Sequence, residues 1–218
     1  MTIRVLIVDD QALVRSGFRM LLDSSDDIDV VGEAENGAEA LERMATSPVD
    51  VVLMDIRMPV MDGVETTKRI VASGAPAHVL VLTTFDADEY VYAALRAGAS
   101  GFLLKDSRPD ELLQAIRSVA NGDAVVAPSA TRRLLDRFVP MLPTGQGRTD
   151  SRLDVLTDRE REVLVEIAKG ATNAEISATL YLAEGTVKTH IGRLFTKLHA
   201  RDRVQLVLIA YETELVKP

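Results

Sequence analysis

The first 120 or so residues alternate two kinds of hydrophobic pattern. Short runs rich in Val, Ile and Leu are apolar at nearly every position, as in strands that are covered on both faces of a parallel sheet. Between them lie helix-length segments in which apolar residues recur every three or four positions; Leu13, Val14, Phe18, Leu21 and Leu22 form one such face. The pattern predicts an α/β, doubly wound parallel sheet of five strands, each followed by a helix. The predicted strands are Ile3–Val8, Ile28–Val31, Val49–Met54, Ala77–Leu82 and Gly101–Leu104.

The alternation stops after Gly122. Residues 124–152 contain a short candidate helix, Thr131–Val139, and then "PMLPTGQGRTDS", whose Pro and Gly content is typical of a flexible linker. From Leu156 onward the pattern is helical only. The first of four predicted helices opens with a capping box formed by Thr157 and Glu160. The second helix begins at Thr172 or Asn173, and the third spans Glu184 to Leu198. The fourth carries one apolar stripe, formed by Val204, Leu208, Tyr211 and Leu215.

Composition narrows the class of protein. The 218 residues include no cysteine, which excludes a disulfide framework, a thiolate metal site and a thiol nucleophile. The sequence enters its first strand at Ile3 without the basic segment of a signal peptide, and it has no run of about 18 apolar residues. We therefore expect a soluble protein of the cytoplasm.

Charge is divided unevenly along the chain. Residues 1–123 carry 11 basic and 21 acidic residues, whereas residues 153–218 carry 9 and 10. Such asymmetry indicates two different tasks. We predict a first domain at 1–122, a linker with a short helix at 123–152 and a four-helix domain at 153–218.

Polar side chains follow the predicted strands of the first domain. Strand one leads into Asp9 and Asp10, strand three into Asp55, strand four into Thr83, and strand five is followed by Lys105. Because ligands of a doubly wound sheet bind beyond the carboxyl ends of its strands, these groups are expected to converge. Clustered carboxylates repel unless a cation neutralises them, and oxygen ligands at a partly open edge suit Mg²⁺. The pattern predicts a magnesium site.

Asp55 is the candidate nucleophile. In "VVLMDIRMPVMDG" a buried strand delivers this one carboxylate at its end, rigidly held yet accessible. A carboxylate beside a divalent metal can accept a phosphoryl group, and Thr83 and Lys105 would hold the charged oxygens of that group. Each residue taken alone has a plainer interpretation, as a helix cap, a turn former or a surface charge.

The motifs "VLIVDDQALVRSGFRMLL", "VVLMDIRMPVMDGVE", "VLTTF" and "AGASGFLLKD" resemble the receiver domain of two-component response regulators, which has a flavodoxin-like fold. The resemblance covers roughly residues 3–122. It implies phosphoryl transfer from a sensor histidine kinase to Asp55, with self-phosphorylation and slow self-dephosphorylation as the only catalysis. It also implies Mg²⁺ on Asp10 and Asp55, with Asp9 assisting and the backbone carbonyl of Arg57 completing the site. Thr83 and Phe102 would act as switch residues, although Phe102 alone could be a core aromatic.

The third predicted helix of the second domain has a basic, polar face. Between Thr186 and Arg203 five basic residues oppose only Asp202. Apolar spacing predicts that Val187, Ile191, Leu194 and Leu198 face the core. A helix that follows a shorter helix and a tight turn, and whose N-terminal part is polar, suits the major groove of DNA. The alternative is a solvated basic face on a small bundle. The exposed side is left with Lys188, Thr189, Gly192 and Arg193.

The stretch from "LTDREREVLVEIAKG" to "HARDRVQLV" closely resembles the LuxR/NarL-type DNA-binding domain over roughly residues 153–216. The resemblance implies that Glu160 is structural. Gly192 departs from the pattern, because many relatives carry a longer, often basic side chain there. The DNA contacts implied are base contacts from Lys188 and Thr189 and backbone contacts from Thr172 and neighbouring Asn173, Thr186, Arg193 and Lys197.

The two halves together predict a phosphorylation-dependent transcriptional regulator. A single recognition helix discriminates poorly within a genome, so phosphorylation is expected to promote a homodimer on paired half-sites. The stripe of Val204, Leu208 and Tyr211 is a candidate dimer seam, although such a stripe is more often intramolecular core. The expected partners are a sensor histidine kinase, double-stranded promoter DNA and RNA polymerase.

Two rival functions use the same residues. One is a Mg²⁺-dependent phosphohydrolase, but such enzymes typically place a second Asp two residues after the nucleophile, where this chain has Arg57. The other is a receiver that has lost phosphorylation and regulates by binding alone. Retention of Asp10, Asp55, Thr83 and Lys105 argues against that reading.

Overall fold

The computed structural model of the chain describes residues 2–83, 88–121 and 151–216. The predicted helix Thr131–Val139 and most of the predicted linker lie outside these ranges. The chain divides into two compact units, Met1–Val125 and Val126–Pro218, and each is described by itself. The three-part division at 122 and 152 stays a prediction. Within the described ranges, no helix combines the length and apolar character needed to cross a membrane.

The first unit is the predicted five-stranded parallel sheet with flanking helices. The strand order is β2-β1-β3-β4-β5, so the chain reverses its direction of winding between β1 and β3. In chain order the elements are β1 (Ile3–Val8), α1 (Ala12–Leu22), β2 (Ile28–Ala34), α2 (Gly37–Thr46), β3 (Val51–Asp55), α3 (Gly63–Ala72), β4 (His78–Thr83), α4 (Asp88–Arg96), β5 (Gly101–Leu104) and α5 (Pro109–Ala120).

The central strands are covered on both faces, which explains their unbroken apolar sequences. Every residue of β3 is buried, and so are the last four residues of β1. Two predicted strand ends were short of the observed ones. The third strand continues through Asp55 because that residue still pairs with Leu82 of β4. The second strand continues to Ala34 because its pairing with β1 resumes after an irregularity between Val5 and Leu6.

The buried face of α1 differs from the predicted face at its first member. Leu13 is 86% exposed, whereas Arg15 is buried and shares its side of the helix with Leu22. Apolar spacing alone therefore assigned Leu13 to the buried face wrongly. The physical reason is that Arg15 has ionic and carbonyl partners under the helix, so its charge is satisfied there and Leu13 faces solvent.

The described part of the second unit, residues 151–216, is helical, as predicted. After a short 3-10 turn at Ser151–Leu153 come α6 (Asp158–Ala168), α7 (Asn173–Leu180), α8 (Glu184–Leu198) and α9 (Arg203–Glu212). The predicted capping box is confirmed: the Thr157 side chain accepts from the Glu160 N–H, and the Glu160 carboxylate accepts from the Thr157 N–H. Thr172 forms a second capping box with Glu175 and is the N-cap of α7. These caps satisfy the free N–H groups at the starts of both helices.

Candidate functional site

Four strands of the sheet end in polar residues at the same edge. Asp55 and Thr83 are the last residues of β3 and β4, while Asp9 and Lys105 directly follow β1 and β5. The last residue of β1 pairs with the residue before Asp55, which puts Asp9 level with Asp55. Thr83 pairs with the residue before Lys105. Strand register alone therefore brings these four predicted residues together.

Lys105 ties the cluster together. Its Nζ donates to Asp9 Oδ2 at 2.6 Å and lies 3.0 Å from Asp55 Oδ1. Its backbone N–H donates to the Thr83 carbonyl at 2.8 Å. One ammonium thus bridges carboxylates at the ends of two different strands, while its backbone is hydrogen-bonded to the end of a third.

Burial shapes the acid–base properties of the cluster. Asp9 is 1% and Asp55 7% exposed, whereas Asp10 is exposed. Burial raises the pKa of Asp55 above its ordinary value, and the Lys105 charge opposes this only in part. Burial lowers the pKa of Lys105, but hydrogen bonds and charges from both acids outweigh it and leave that pKa raised. Lys105 therefore stays cationic at neutral pH.

The loop between β3 and α3 holds the Asp55 carboxylate and fixes the start of α3 against the strand end. The Ile56 N–H donates to Asp55 Oδ1 at 2.9 Å, and the Gly63 N–H donates to the Ile56 carbonyl at 2.8 Å. A Cβ at Gly63 would lie 2.2 Å from the Asp55 carbonyl oxygen, so only glycine allows α3 to begin this close to the strand end.

The carboxylates fit a small divalent cation. Oxygen atoms of Asp9, Asp10 and Asp55 all lie within 4.8 Å of one another, with two of the residues buried and Asp10 open to solvent. This all-oxygen set with one open side matches Mg²⁺, which keeps part of its water shell. That Asp10 and Asp55 hold the ion, with Asp9 assisting, stays a prediction. Arg57 is exposed two residues after Asp55, and the role of its carbonyl stays a prediction.

The two predicted switch residues differ in environment. Thr83 is 3% exposed at the end of β4. Phe102 is half-buried on the edge strand β5, where its backbone pairs with Val81. A partly exposed aromatic ring can change its packing at smaller cost than a fully buried one, so this placement is compatible with the predicted switch role.

The predicted recognition helix is α8. Its core-facing residues are those expected: Val187, Ile191, Leu194 and Leu198 are all buried. The opposite side of the helix is open to solvent, and a Cβ at Gly192 would meet nothing within 4 Å. The predicted DNA contacts that lie exposed on α8 are Thr186, Lys188, Thr189 and Arg193.

Two other predicted DNA contacts have partners inside the unit. Lys197 Nζ donates to Glu160 Oε2 at 2.7 Å. Glu160 is 2% exposed; burial raises its pKa, but the hydrogen bonds from Lys197 and Thr157 prevail and bring the pKa to about 2. Asn173 Oδ1 accepts from Arg203 Nη1 at 3.0 Å. Contacts of Lys197 and Asn173 with DNA stay predictions, and either would compete with these bonds.

The predicted dimer seam is not an exposed surface here. Val204 is 2% and Leu208 7% exposed, and the Tyr211 hydroxyl donates to the Ala168 carbonyl at 3.4 Å. Tyr211 packs beside the buried core of the second unit. The stripe behaves as interior in this chain, so a seam made of these residues would require rearrangement and stays a prediction.

Comparison with known proteins decides the family. Residues 5–117 match the response regulator receiver domain, and residues 154–210 match the bacterial regulatory proteins of the luxR family. The chain belongs to the LuxR-type response regulators. It is 42% identical to the transcriptional regulatory protein LnrK of Bacillus subtilis, covering 94% of this chain and 95% of LnrK.

Other relatives of the response regulator span nearly the whole chain. A nitrate/nitrite response regulator protein homolog of Haemophilus influenzae is 38% identical over 96% of this chain and 97% of its own. The crystal structure of ChrA, a response regulator of a heme-sensing two-component system, is 35% identical with a TM-score of 0.54 and covers 99% of both chains. The response regulator is accordingly a DNA-binding transcription regulator of a two-component system, not a classical enzyme, and its receiver domain implies a sensor kinase partner.

One residue near the site was missed by sequence reading. Arg15 Nη1 donates to the Asp9 carbonyl at 2.8 Å from a buried position. The available signal was its spacing of seven residues from Leu22, which places both on one side of α1. Hydrophobic patterning passes over such a residue because it counts apolar side chains only.

Proposed function

We propose that Asp55 accepts a phosphoryl group from a phosphohistidine of a sensor kinase. A carboxylate oxygen of Asp55 attacks phosphorus, the new O–P bond forms as the N–P bond breaks, and the leaving imidazole keeps the electron pair and takes up a proton. The observation that carries this proposal is the bridging of Asp9 and Asp55 by Lys105 at 2.6 and 3.0 Å.

The surrounding residues have separate tasks in this reaction. Lys105 and the Thr83 hydroxyl would contact the charged oxygens of the transferred group. A bound Mg²⁺ would supply charge neutralisation between the acids and the phosphoryl oxygens. The Ile56 N–H holds the Asp55 carboxylate, and the close approach of Gly63 fixes the loop beside it, which favours the geometry of attack. Slow hydrolysis of the acyl phosphate would return the protein to its resting state.

Labelling with a small phosphodonor tests this proposal. Wild-type protein incubated with acetyl phosphate and Mg²⁺ should gain the mass of one phosphoryl group, mapped to Asp55 by tandem mass spectrometry. Asp55→Asn should gain none, because an amide is not a comparable nucleophile. Sustained turnover of generic phosphoesters would instead favour a hydrolase, and an unlabelled wild type would favour a receiver that acts by binding alone.

The output follows from coupling this reaction to the helical domain. Phosphorylation would favour a dimer-competent arrangement that already exists in equilibrium, and two copies of α8 would then read adjacent half-sites of a promoter. Lys188 and Thr189 would contact bases, and Thr172, Thr186 and Arg193 the DNA backbone. The proposal includes DNA contacts from Lys197 and Asn173, and a dimer seam on α9, only if the contacts that these residues make inside the unit are broken. RNA polymerase is the proposed downstream partner, and the cytoplasm the place of action.

A further inference from the structure

Arg15 is a buried cation whose bonds reach the acidic loop and the neighbouring strand end. It is 8% exposed in the first half of α1. Nη1 donates to the Asp9 carbonyl at 2.8 Å, Nη2 to Glu35 Oε1 at 2.9 Å and Nε to Glu33 Oε2 at 3.3 Å. Glu33 lies near the end of β2, and Glu35 directly follows the last residue of that strand. One guanidinium thus joins α1, the end of β2 and the loop after β1.

The carbonyl that Arg15 holds belongs to the peptide bond between Asp9 and Asp10. The N–H of Asp9 donates to the Ala34 carbonyl at 3.1 Å, and its Oδ1 accepts from the Gln11 N–H at 2.9 Å. Asp9 is therefore held at its amide, its carbonyl and its carboxylate. Asp10 shares this peptide bond, so the peptide plane that Arg15 holds sets the direction in which the exposed Asp10 side chain leaves the backbone.

The shape of the guanidinium matters for this task. Its planar fork can donate to three acceptors in fixed directions, whereas an ammonium is a point charge on a flexible stem. The two glutamates offset the charge of Arg15, and Glu33 also accepts from Arg19 at 2.5 Å. The arrangement is a rigid support beneath the acids, and residues that support ligands typically change metal affinity 10- to 100-fold when removed.

We propose that Arg15 is a positioning residue that sets Asp10 for divalent cation binding. The inference deepens the proposed function and rests on it, since Mg²⁺ binding and phosphorylation of Asp55 belong to that proposal. Arg15 does not contact the cation or the phosphoryl group; it acts through the peptide between the two acids. Its loss should weaken Mg²⁺ binding beyond any loss of general stability.

The test compares Arg15→Met with a matched control in the full-length protein. Arg4→Met is the control, because Arg4 makes a bidentate pair with Asp50 near the amino-terminal end of β1, away from the acid cluster. Two quantities are measured: the Mg²⁺ dissociation constant by calorimetry, and the unfolding midpoint without Mg²⁺. We expect Arg15→Met to raise the Mg²⁺ dissociation constant about tenfold. Arg4→Met should leave that constant within about twofold of the wild-type value, even if it lowers the unfolding midpoint. A change in Arg15→Met no larger than that in Arg4→Met overturns the inference.

Two further comparisons keep the result decisive. If Arg15→Met does not fold, Arg15→Lys decides, because an ammonium cannot span Asp9, Glu33 and Glu35 together: a dissociation constant raised at least about threefold supports the inference, and a wild-type value overturns it. Acetyl phosphate labelling is run in parallel. If the wild type neither binds Mg²⁺ nor is labelled, the proposed function itself is refuted. If the wild type binds Mg²⁺ and is labelled, and the Arg15 variant does both equally well, only the role of Arg15 is refuted.

Discussion

The protonation of Asp55 depends mainly on its burial and on the neighbouring Lys105. Burial already raises the pKa of Asp55, and the ammonium 3.0 Å away limits that rise. In Lys105→Met the pKa of Asp55 should therefore move further up, since an acid that loses a nearby cation favours its neutral form. A carbon-13 NMR titration of the Asp55 carboxyl in metal-free protein measures the shift. Lys68→Met, which removes an exposed cation on α3, should leave it unchanged; equal pKa values in wild type and Lys105→Met would refute the pairing.

Glu160 shows how a single buried acid stabilises the helical domain. Its pKa in the folded protein is lowered to about 2 from 4.5, so its contribution is fully present above pH 4.5 and is lost as the pH falls toward 2. Glu160→Gln should lower the free energy of unfolding by about 2 kcal/mol at neutral pH, the scale of a hydrogen bond to a charged group.

Calorimetry of the full-length protein at a series of pH values checks this prediction. The difference between wild type and Glu160→Gln should shrink as the pH is lowered below about 4.5, the ordinary pKa of a glutamate. Glu162→Gln is the control, because its ion pair with Arg159 is half-exposed and worth at most about 1 kcal/mol. If the difference in unfolding free energy between wild type and Glu160→Gln stays constant with pH, the partners of Glu160 do not stabilise its ionised form.

At the scale of elements, some glycines lie in helices with room for a side chain, whereas others are required by the backbone conformation or by a close contact. Gly17 in α1 and Gly192 in α8 lie inside helices with open space around an added Cβ. Alanine at either should stabilise its domain by up to about 1 kcal/mol, because glycine is the weaker helix former. Gly98 has φ +105°, and its Cβ would lie 2.7 Å from a Val71 methyl carbon, so Gly98→Ala should destabilise. Thermal unfolding of the three variants gives the signs; a lowered midpoint for Gly17→Ala would contradict the open environment.

The elements themselves were largely predictable from the sequence, because a buried parallel strand and an amphipathic helix leave different periods of apolar residues. The convergence of Asp9, Asp55, Thr83 and Lys105 followed from one rule about strand ends. What spacing could not provide was the partner of each charge. The buried position of Arg15 and the pairing of Lys197 with Glu160 depend on contacts between segments that are distant in sequence.

Strand and helix limits were predictable only approximately. The limit of β3 moved to Asp55 because pairing with β4 continues one residue past the last apolar side chain. Leu13 was assigned to the inward face of its helix from spacing alone, and it is 86% exposed. In both cases a local pattern was overruled by hydrogen bonds or ion pairs that the pattern does not encode.

At the scale of the whole molecule, the two compact units differ in net charge. Residues 1–123 have a net charge of −10, whereas the basic side chains of α8 stand on a helical domain that is nearly neutral. A near-complete switch between two arrangements requires a bias of about 5.5 kcal/mol. In the proposed mechanism, phosphorylation of Asp55 provides part of that free energy, and dimer formation adds a part that increases with protein concentration.

The most direct test of the account is the response of mass and DNA affinity to a phosphoryl mimic. Light scattering and binding to promoter DNA obtained by genome-wide mapping are measured with and without beryllofluoride and Mg²⁺, for wild type and Asp55→Ala. We predict that only the wild type doubles its mass and binds DNA more tightly when both additions are present. Unchanged mass and unchanged affinity in the wild type would contradict the coupling of Asp55 to DNA binding.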